Sequence, residues 1–319
     1  MIQYAKGDSQ MIYQSTIAKA ITLAGVGLHS GRTIRMQLRP AEAGNGIVFH
    51  RSEGERTVSI EAISANVVDT RLATVIGKSG LTVSTVEHLM AALCALGIDN
   101  LHIDIDGPEV PIMDGSAHYF IKAIRKAGLR FLPRSRKFLA IRKPLTIIDG
   151  EKRVSVIPSR FFRITADIAF DHPAIGLQHR SVKVTPDFFC RELAAARTFG
   201  FLKEVEYLKA NGLAQGGSLE NAVVIGDEGI LNPEGLRFHD EFVRHKILDA
   251  IGDFSLAGFP VLGHFKTFKS GHDINHKMIE KILATPDAWH LVEFTENDLQ
   301  EALLAAPPAL AAGLALSEA

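Results

Sequence analysis

The sequence predicts an α+β protein of two similar domains, and three observations carry that expectation. Short alternating, β-branched runs broken by Gly-rich turns read as strands, and longer apolar stretches among them read as helices. The same order of elements recurs after "FLPRSRKFLAI", whose Pro133 and flanking charges mark a domain boundary near residue 136. At 319 residues the chain is long enough for one or two domains with sizeable cores.

In chain order, residues 15 to 60 contain strand-like segments such as "TIRMQLRP" and "TVSIEAI". A helix follows in "STVEHLMAALCALG", with Ser84 at its N-cap, Glu87 three residues on, and Gly97 as its stop. "NLHIDIDG" alternates as a strand, and "AHYFIKAIRKAG" is a helix ending at Gly128. Past the boundary come strands in "LTIID", "RVSVIP" and "FRITADIAF", then a helix through "DFFCRELAAAR". A Gly-rich stretch, "NGLAQGGSLENAVVIG", leads to the helix "RHKILDAIGD" and the strand "PVLGHFKTF". The basic run "RSRK" at 134–137 reads as linker.

Composition narrows the function classes. Lys+Arg of 35 against Asp+Glu of 36 gives no reason to expect nucleic-acid binding. Cys94 and Cys190 each lie in an apolar run and read as small core residues in a reducing compartment. The N-terminus "MIQYAKGDSQMIYQ" lacks the pattern of a signal peptide. No apolar run reaches membrane-spanning length, and Pro307 and Pro308 interrupt the Ala/Leu-rich tail. A cytoplasmic monomer is the expectation. "VIGKSG" lacks the first glycine of a phosphate loop, Leu72 standing in its place, and "GVGLHSG" has the wrong spacing for a dinucleotide fingerprint.

The helix at 244–253 aligns His245, Asp249 and Asp253 on one side, with Lys246 beside them, and Ile247, Leu248, Ala250, Ile251 and Phe254 on the other. Taken alone, such a stripe is by default a solvated face with a surface His/Asp pair, though a His and a carboxylate one turn apart also suit one divalent metal if a third ligand stands elsewhere. In "TVEHLMAAL" the helix is apolar all round after its first turn, the mark of a buried helix, yet Glu87 and His88 stand together at its start. Glu87 has an alternative role in a capping box with Ser84, and His88 as a satisfied core histidine. "FKSGHDIN" places His272 in a loop after a strand, and "AARTFGF" places Thr198 and Phe199 just after a helix. Taken jointly, His88, His245 and Asp249 offer three N/O ligands with a fourth position left for water. Glu87 then takes a proton and His272 gives one to a leaving amine, a pattern suited to amide hydrolysis.

The set "GVGLHSG", "VVDTRLAT", "TVEHLMAAL", "MDGSA", "ARTFGF", "GLRFHDEFVRHKILDAIGD" and "KSGH", in that order, resembles the UDP-3-O-acyl-N-acetylglucosamine deacetylases, zinc amidases of lipid A biosynthesis in Gram-negative bacteria. The likeness runs from about residue 14 to about residue 290. It implies that His88, His245 and Asp249 hold zinc, ferrous iron being the alternative such ligands also accept. It gives Glu87 the role of general base and His272 that of general acid, with Asp253 supporting His272. Thr198 would share stabilisation of the tetrahedral oxyanion with the metal, and Lys246 would contact substrate.

For the UDP-linked acylated sugar, the resemblance implies Phe170 stacking on uracil and Lys269 meeting the diphosphate, although Asp171 stands where some relatives have Asn. An acyl passage would be lined by Phe199, Phe201, Leu202, Val205 and Ala214, with Leu28 and Leu72 contributing from the first domain. The implied architecture is two domains, 1–136 and 137–290, packed face to face around a central active site. Each carries a small insert, about 51–80 in the first and a βαβ unit at about 197–226 in the second, and a tail follows at 291–319.

Overall fold

A computed structural model describes residues 12–295 and residue 298. Residues 1–11, read above for a leader, and the tail with Pro307 and Pro308 lie outside the described residues.

The first half comprises β1 (Tyr13–Ile17), β2 (Ile21–Val26), β3 (Thr33–Pro40), β4 (Ile47–Glu53), β5 (Arg56–Glu61), β6 (Val67–Asp69), β7 (Val75–Lys78), β8 (Leu81–Val83), α1 (Glu87–Leu96), β9 (Leu101–Ile105), α2 (His118–Ala127) and β10 (Leu129–Ser135). Strands β2-β3-β9-β4-β5 form a five-stranded sheet, in which β4 runs parallel to β9 and the other neighbours antiparallel. The period-two pattern of β3 does what its sequence dictates: Ile34, Met36 and Leu38 are buried while Thr33 and Arg35 face out.

The second half follows with β11 (Lys137–Ile141), β12 (Leu145–Asp149), β13 (Lys152–Ile157), β14 (Phe162–Ala169), β15 (Leu177–Lys183), α3 (Pro186–Phe188), β16 (Phe199–Phe201), α4 (Leu202–Ala210), β17 (Val223–Gly226), β18 (Gly229–Ile230), α5 (Glu241–Ser255), β19 (Val261–Phe268), α6 (His272–Leu283) and β20 (Trp289–Glu293). A seven-stranded sheet is built around β19, which pairs with β11, β13 and β14. The chain is thus α+β, with helices layered on a sheet in each half.

Several sequence expectations are corrected. "RSRK" is no irregular linker: Arg134 and Ser135 close β10, which pairs with β1, and Lys137 opens β11. Arg136 between them is tied to the largely buried Asp99 at 2.8 Å. The first part of the expected 51–80 insert belongs to the main sheet as β4 and β5, and the separate small sheet is β6-β7-β8, from Val67 to Val83. At 197–226 the chain forms β16, α4 and β17, with β16 and β17 parallel. The helix expected through "DFFCRELAAAR" starts at Pro186, capped by Thr185, and widens into a π turn at Phe189–Leu193. The stretch after residue 290 is not wholly irregular, because β20 pairs with β11 up to Glu293.

Helices α1 and α5 meet at the centre of the molecule, one from each half. They pack tightly at Gly252, where an added Cβ would lie 2.1 Å from the Glu87 carbonyl oxygen. That explains a glycine inside a helix, where it otherwise weakens the element. Behind this crossing Leu89, Leu93, Ile247, Leu248 and Ile251 merge into one core shared by both halves, with Phe254 stacked on Phe265 at 4.0 Å.

Candidate metal centre

The helix crossing brings three ligand-type side chains together. His88 stands in the first turn of α1, and His245 and Asp249 lie one turn apart on α5; all three are buried. The stripe on α5 therefore faces the partner helix rather than water. Nε2 of His88 and of His245 lie 3.4 and 3.3 Å from Oδ1 of Asp249. The imidazoles meet edge to face, with centroids 5.0 Å apart.

Two features fit this cluster to a divalent cation. Asp249 Oδ1 is buried with no hydrogen-bond donor, an orphan that a metal would satisfy. His245 Nδ1 lies 3.1 Å from the Ala196 carbonyl, to which it donates as Nδ1–H, leaving Nε2 free as a ligand. Burial drives the His245 imidazole down to about 3, so it stays neutral as a ligand must. Burial also opposes charge on Asp249, but its basic neighbours, the Lys246 ammonium above all, outweigh it and hold the carboxyl well below the usual carboxylate range. Lys246 Nζ donates to Asp249 Oδ2 at 2.9 Å and lies over the Phe199 ring.

Around the cluster sit two titratable groups, both with raised pKa. Glu87 is buried, and burial raises its pKa. Its Oε2 accepts the Thr74 N–H at 3.0 Å, and its Oε1 lies 3.9 Å from His272 Nε2. His272 Nδ1 contacts Asp253 Oδ2 at 3.0 Å. Burial alone would lower His272, yet the Asp253 and Glu87 carboxylates outweigh it and push the imidazole up to about 10. A base raised by burial and an imidazolium stabilised by a carboxylate, facing one another, form a pair equipped for proton transfer.

The local structures differ from the sequence reading in instructive ways. No Ser84 capping box forms: α1 starts at Glu87, Val86 stands at its N-cap, and Ser84 instead bridges to Glu109 in extended backbone. Thr85, buried before that start, has φ of 58°, a left-handed conformation rare for a β-branched residue and of the kind that clusters at functional sites. His272 is not in a loop but opens α6, with Gly271 at the N-cap. Thr198 caps no helix; its N–H donates to Gly115 O at 2.7 Å, joining the "MDGSA" loop of the first half to the second.

A family profile described as UDP-3-O-acyl N-acetylglycosamine deacetylase matches residues 14–284, which include all of these groups. The chain belongs to that family. Proteins named UDP-3-O-acyl-N-acetylglucosamine deacetylase are similar to it along nearly their whole length. That of Syntrophotalea carbinolica is 71% identical over 286 residues, covering 90% of this chain and 93% of the relative. That of Geobacter sp. strain M21 is 59% identical, covering 89% and 93%. That of Myxococcus xanthus is 52% identical, covering 90% and 91%. Deacetylases are hydrolases, and the buried His, His, Asp set gives this family member a possible metal site.

The substrate-binding residues expected in this deacetylase family lie more loosely around the centre. Phe170 packs edge-on against Phe199, centroids 5.7 Å apart, and tilted against Phe201 at 6.0 Å. Leu28 comes within 3.5 Å of the Cβ position of Gly217, and its carbonyl accepts the Gly216 N–H, so the first half's loop closes on the βαβ unit. Ala214 in that seam is buried with φ of 50°. Val205 packs beside Gly200, while Leu202 and Leu72 are exposed, Leu72 at 47%. Lys269, at φ of 49°, is engaged by Glu151 at 2.7 Å.

Sequence reasoning missed five contributing residues. Thr74, at the end of "VVDTRLAT", donates Oγ1–H to Asp253 Oδ1 at 2.6 Å. Asn275 donates to Asp253 Oδ2 at 2.9 Å from the first turn of α6. Glu109 accepts the His29 N–H and sits where any Cβ on Gly27 would be, fixing the "GVGLHSG" loop. The fully buried Arg197 and Glu241, paired at 2.9 Å, brace the Ala196 carbonyl that orients His245. All but Glu109 are polar residues inside motifs already singled out, Asn275 closing "FKSGHDIN".

Proposed function

We propose that the protein hydrolyses the N-acetyl group of UDP-3-O-acyl-N-acetylglucosamine to acetate and the free amine, in lipid A synthesis in the cytoplasm. The observation that carries this reading is the convergence of Glu87 and His272 beside the orphaned Asp249 Oδ1. His88, His245 and Asp249 would hold zinc, or ferrous iron in its place. Such an ion lowers the pKa of a water and polarises the amide carbonyl.

Glu87 takes the proton of the attacking water on its free Oε1. Thr198 donates its hydroxyl to the oxygen that becomes negative as the tetrahedral centre forms. His272, held protonated by Asp253, protonates the departing nitrogen, and the C–N bond breaks to acetate and amine. Lys246 balances the charge of Asp249 and lines the polar wall. Phe170 and Lys269 serve the uridine and diphosphate ends, and Leu28, Leu72, Phe199, Phe201, Leu202, Val205 and Ala214 line the acyl chain's path.

The boundary between the two catalytic halves falls near residue 136, and the protein acts as a monomer. No helix among the described residues is long and apolar enough to cross a membrane. Acetate release from UDP-3-O-acyl-N-acetylglucosamine tests the reading: parent turnover with loss in Glu87→Gln supports it, and full turnover in Glu87→Gln refutes the base assignment.

A further inference from the structure

Thr74 lies in the turn between β6 and β7, buried at 2% exposure, far in sequence from the α5 residue it touches. Every polar group it owns is engaged at the site. Its carbonyl accepts the Val86 N–H at 3.3 Å, just ahead of α1. Its N–H donates to Glu87 Oε2, so the other carboxylate oxygen is the one turned toward His272. Its hydroxyl donates to Asp253 Oδ1, and Asp253 Oδ2 then receives His272 Nδ1 and Asn275 Nδ2.

We infer that Thr74 is a positioning residue for the acid–base pair: it sets the orientation of Glu87 in one half and Asp253 in the other, and so the geometry across which the proton moves. The inference rests on the acid–base roles proposed above. A carboxylate free to rotate about its terminal torsion samples many orientations, and that torsion has no strong intrinsic preference. Two charge-assisted hydrogen bonds from one rigid residue remove that freedom on both sides of the site. The hydrogen bonds of Thr74 go to Val86, Glu87 and Asp253 and to none of His88, His245 and Asp249, so its influence falls on turnover rather than on metal binding.

Thr74→Val keeps shape, N–H and carbonyl and deletes only the hydroxyl. Expected in the zinc-loaded protein is a fall in kcat of about 10- to 100-fold, the usual cost of losing an outer partner at such a site. KM stays within about twofold, and zinc content and melting temperature stay near the parent's. Thr74→Ser restores kcat to within a few fold, because the hydroxyl returns. Combined with Asp253→Asn, Thr74→Val adds little further loss, since both act through one contact. Parent-like kcat in Thr74→Val, a serine variant as slow as the valine one, or fully additive losses would each overturn the inference. If the valine chain fails to fold, Thr74→Ala compared with Thr74→Ser makes the same distinction. Glu87→Gln, assayed alongside, separates the two readings: full activity there refutes the acid–base scheme itself, whereas full activity in Thr74→Val alone refutes only the role of Thr74.

Discussion

Gly252→Ala probes the crossing on which the whole site depends. The added Cβ would stand 2.1, 2.7 and 2.9 Å from the carbonyl oxygen, carbonyl carbon and Cα of Glu87, where ordinary contact begins near 3.4 Å. All three are backbone atoms, so no side chain can swing aside; α1 and α5 must part by about 1 Å. Replacing glycine within a helix would alone stabilise by about 1 kcal/mol. Overpacking a tight contact costs about 1–3 kcal/mol, and here the contact is with main chain, which places the cost at the upper end. The expected net is a destabilisation of about 1–2 kcal/mol, or a fall of roughly 2–3 °C in Tm for a chain of this length. Because Glu87 and His88 ride on the displaced helix, kcat/KM should fall about 100-fold, the scale of a 1 Å misplacement. Thermal unfolding followed by circular dichroism, with acetate release on the same samples, measures both. A variant that melts above the parent and keeps its activity would refute the reasoning.

Other outcomes follow from the same geometry. Glu87→Gln should retain about one zinc per chain by elemental analysis while losing about 100- to 10,000-fold in kcat, as a general base does. Asp249→Ala should instead lose the metal, checked by dialysis against a weak chelator, because it removes the only anionic ligand of the set. Asp253→Asn deletes the main charge that pushes His272 up to about 10. The imidazole pKa then falls, and the alkaline limb of the kcat/KM profile moves to lower pH; an unmoved limb contradicts the pairing. Glu241→Ala takes one of two carboxylates from the buried Arg197 guanidinium, leaving it to Glu234 and the Gly235 carbonyl, and should cost about 2–3 kcal/mol in denaturant unfolding.

What was readable in the sequence is what local pattern controls. The period-two burial of β3 and the apolar α1 with its stop at Gly97, φ 73°, follow from residue order alone. His88, His245 and Asp249 were recognisable as ligand types, and the motif resemblance joined them; pattern alone could not tell the α5 stripe from a solvated face, since only the packing of α1 decides that. Ser84 misled because a serine three residues before a glutamate looks like a capping box, whereas tertiary contact draws that serine toward Glu109 and Glu87 toward Thr74. The start of α6 was hidden because Gly271 is a weak N-cap signal and the first turn, "HDIN", is polar. Thr74 and Asp253, 179 residues apart, share no local signature at all. "RSRK" looked like a linker because charges on the exposed edges of β10 and β11 resemble those of a loop.

The most direct test of the central claim is turnover as a function of metal content. Purified protein is stripped of metal, titrated with zinc, and assayed for acetate release from UDP-3-O-acyl-N-acetylglucosamine. The account requires activity to vanish on stripping and to return in proportion to zinc up to about one equivalent per chain, with Asp249→Ala unresponsive. Undiminished acetate release from the metal-free, folded protein would contradict it.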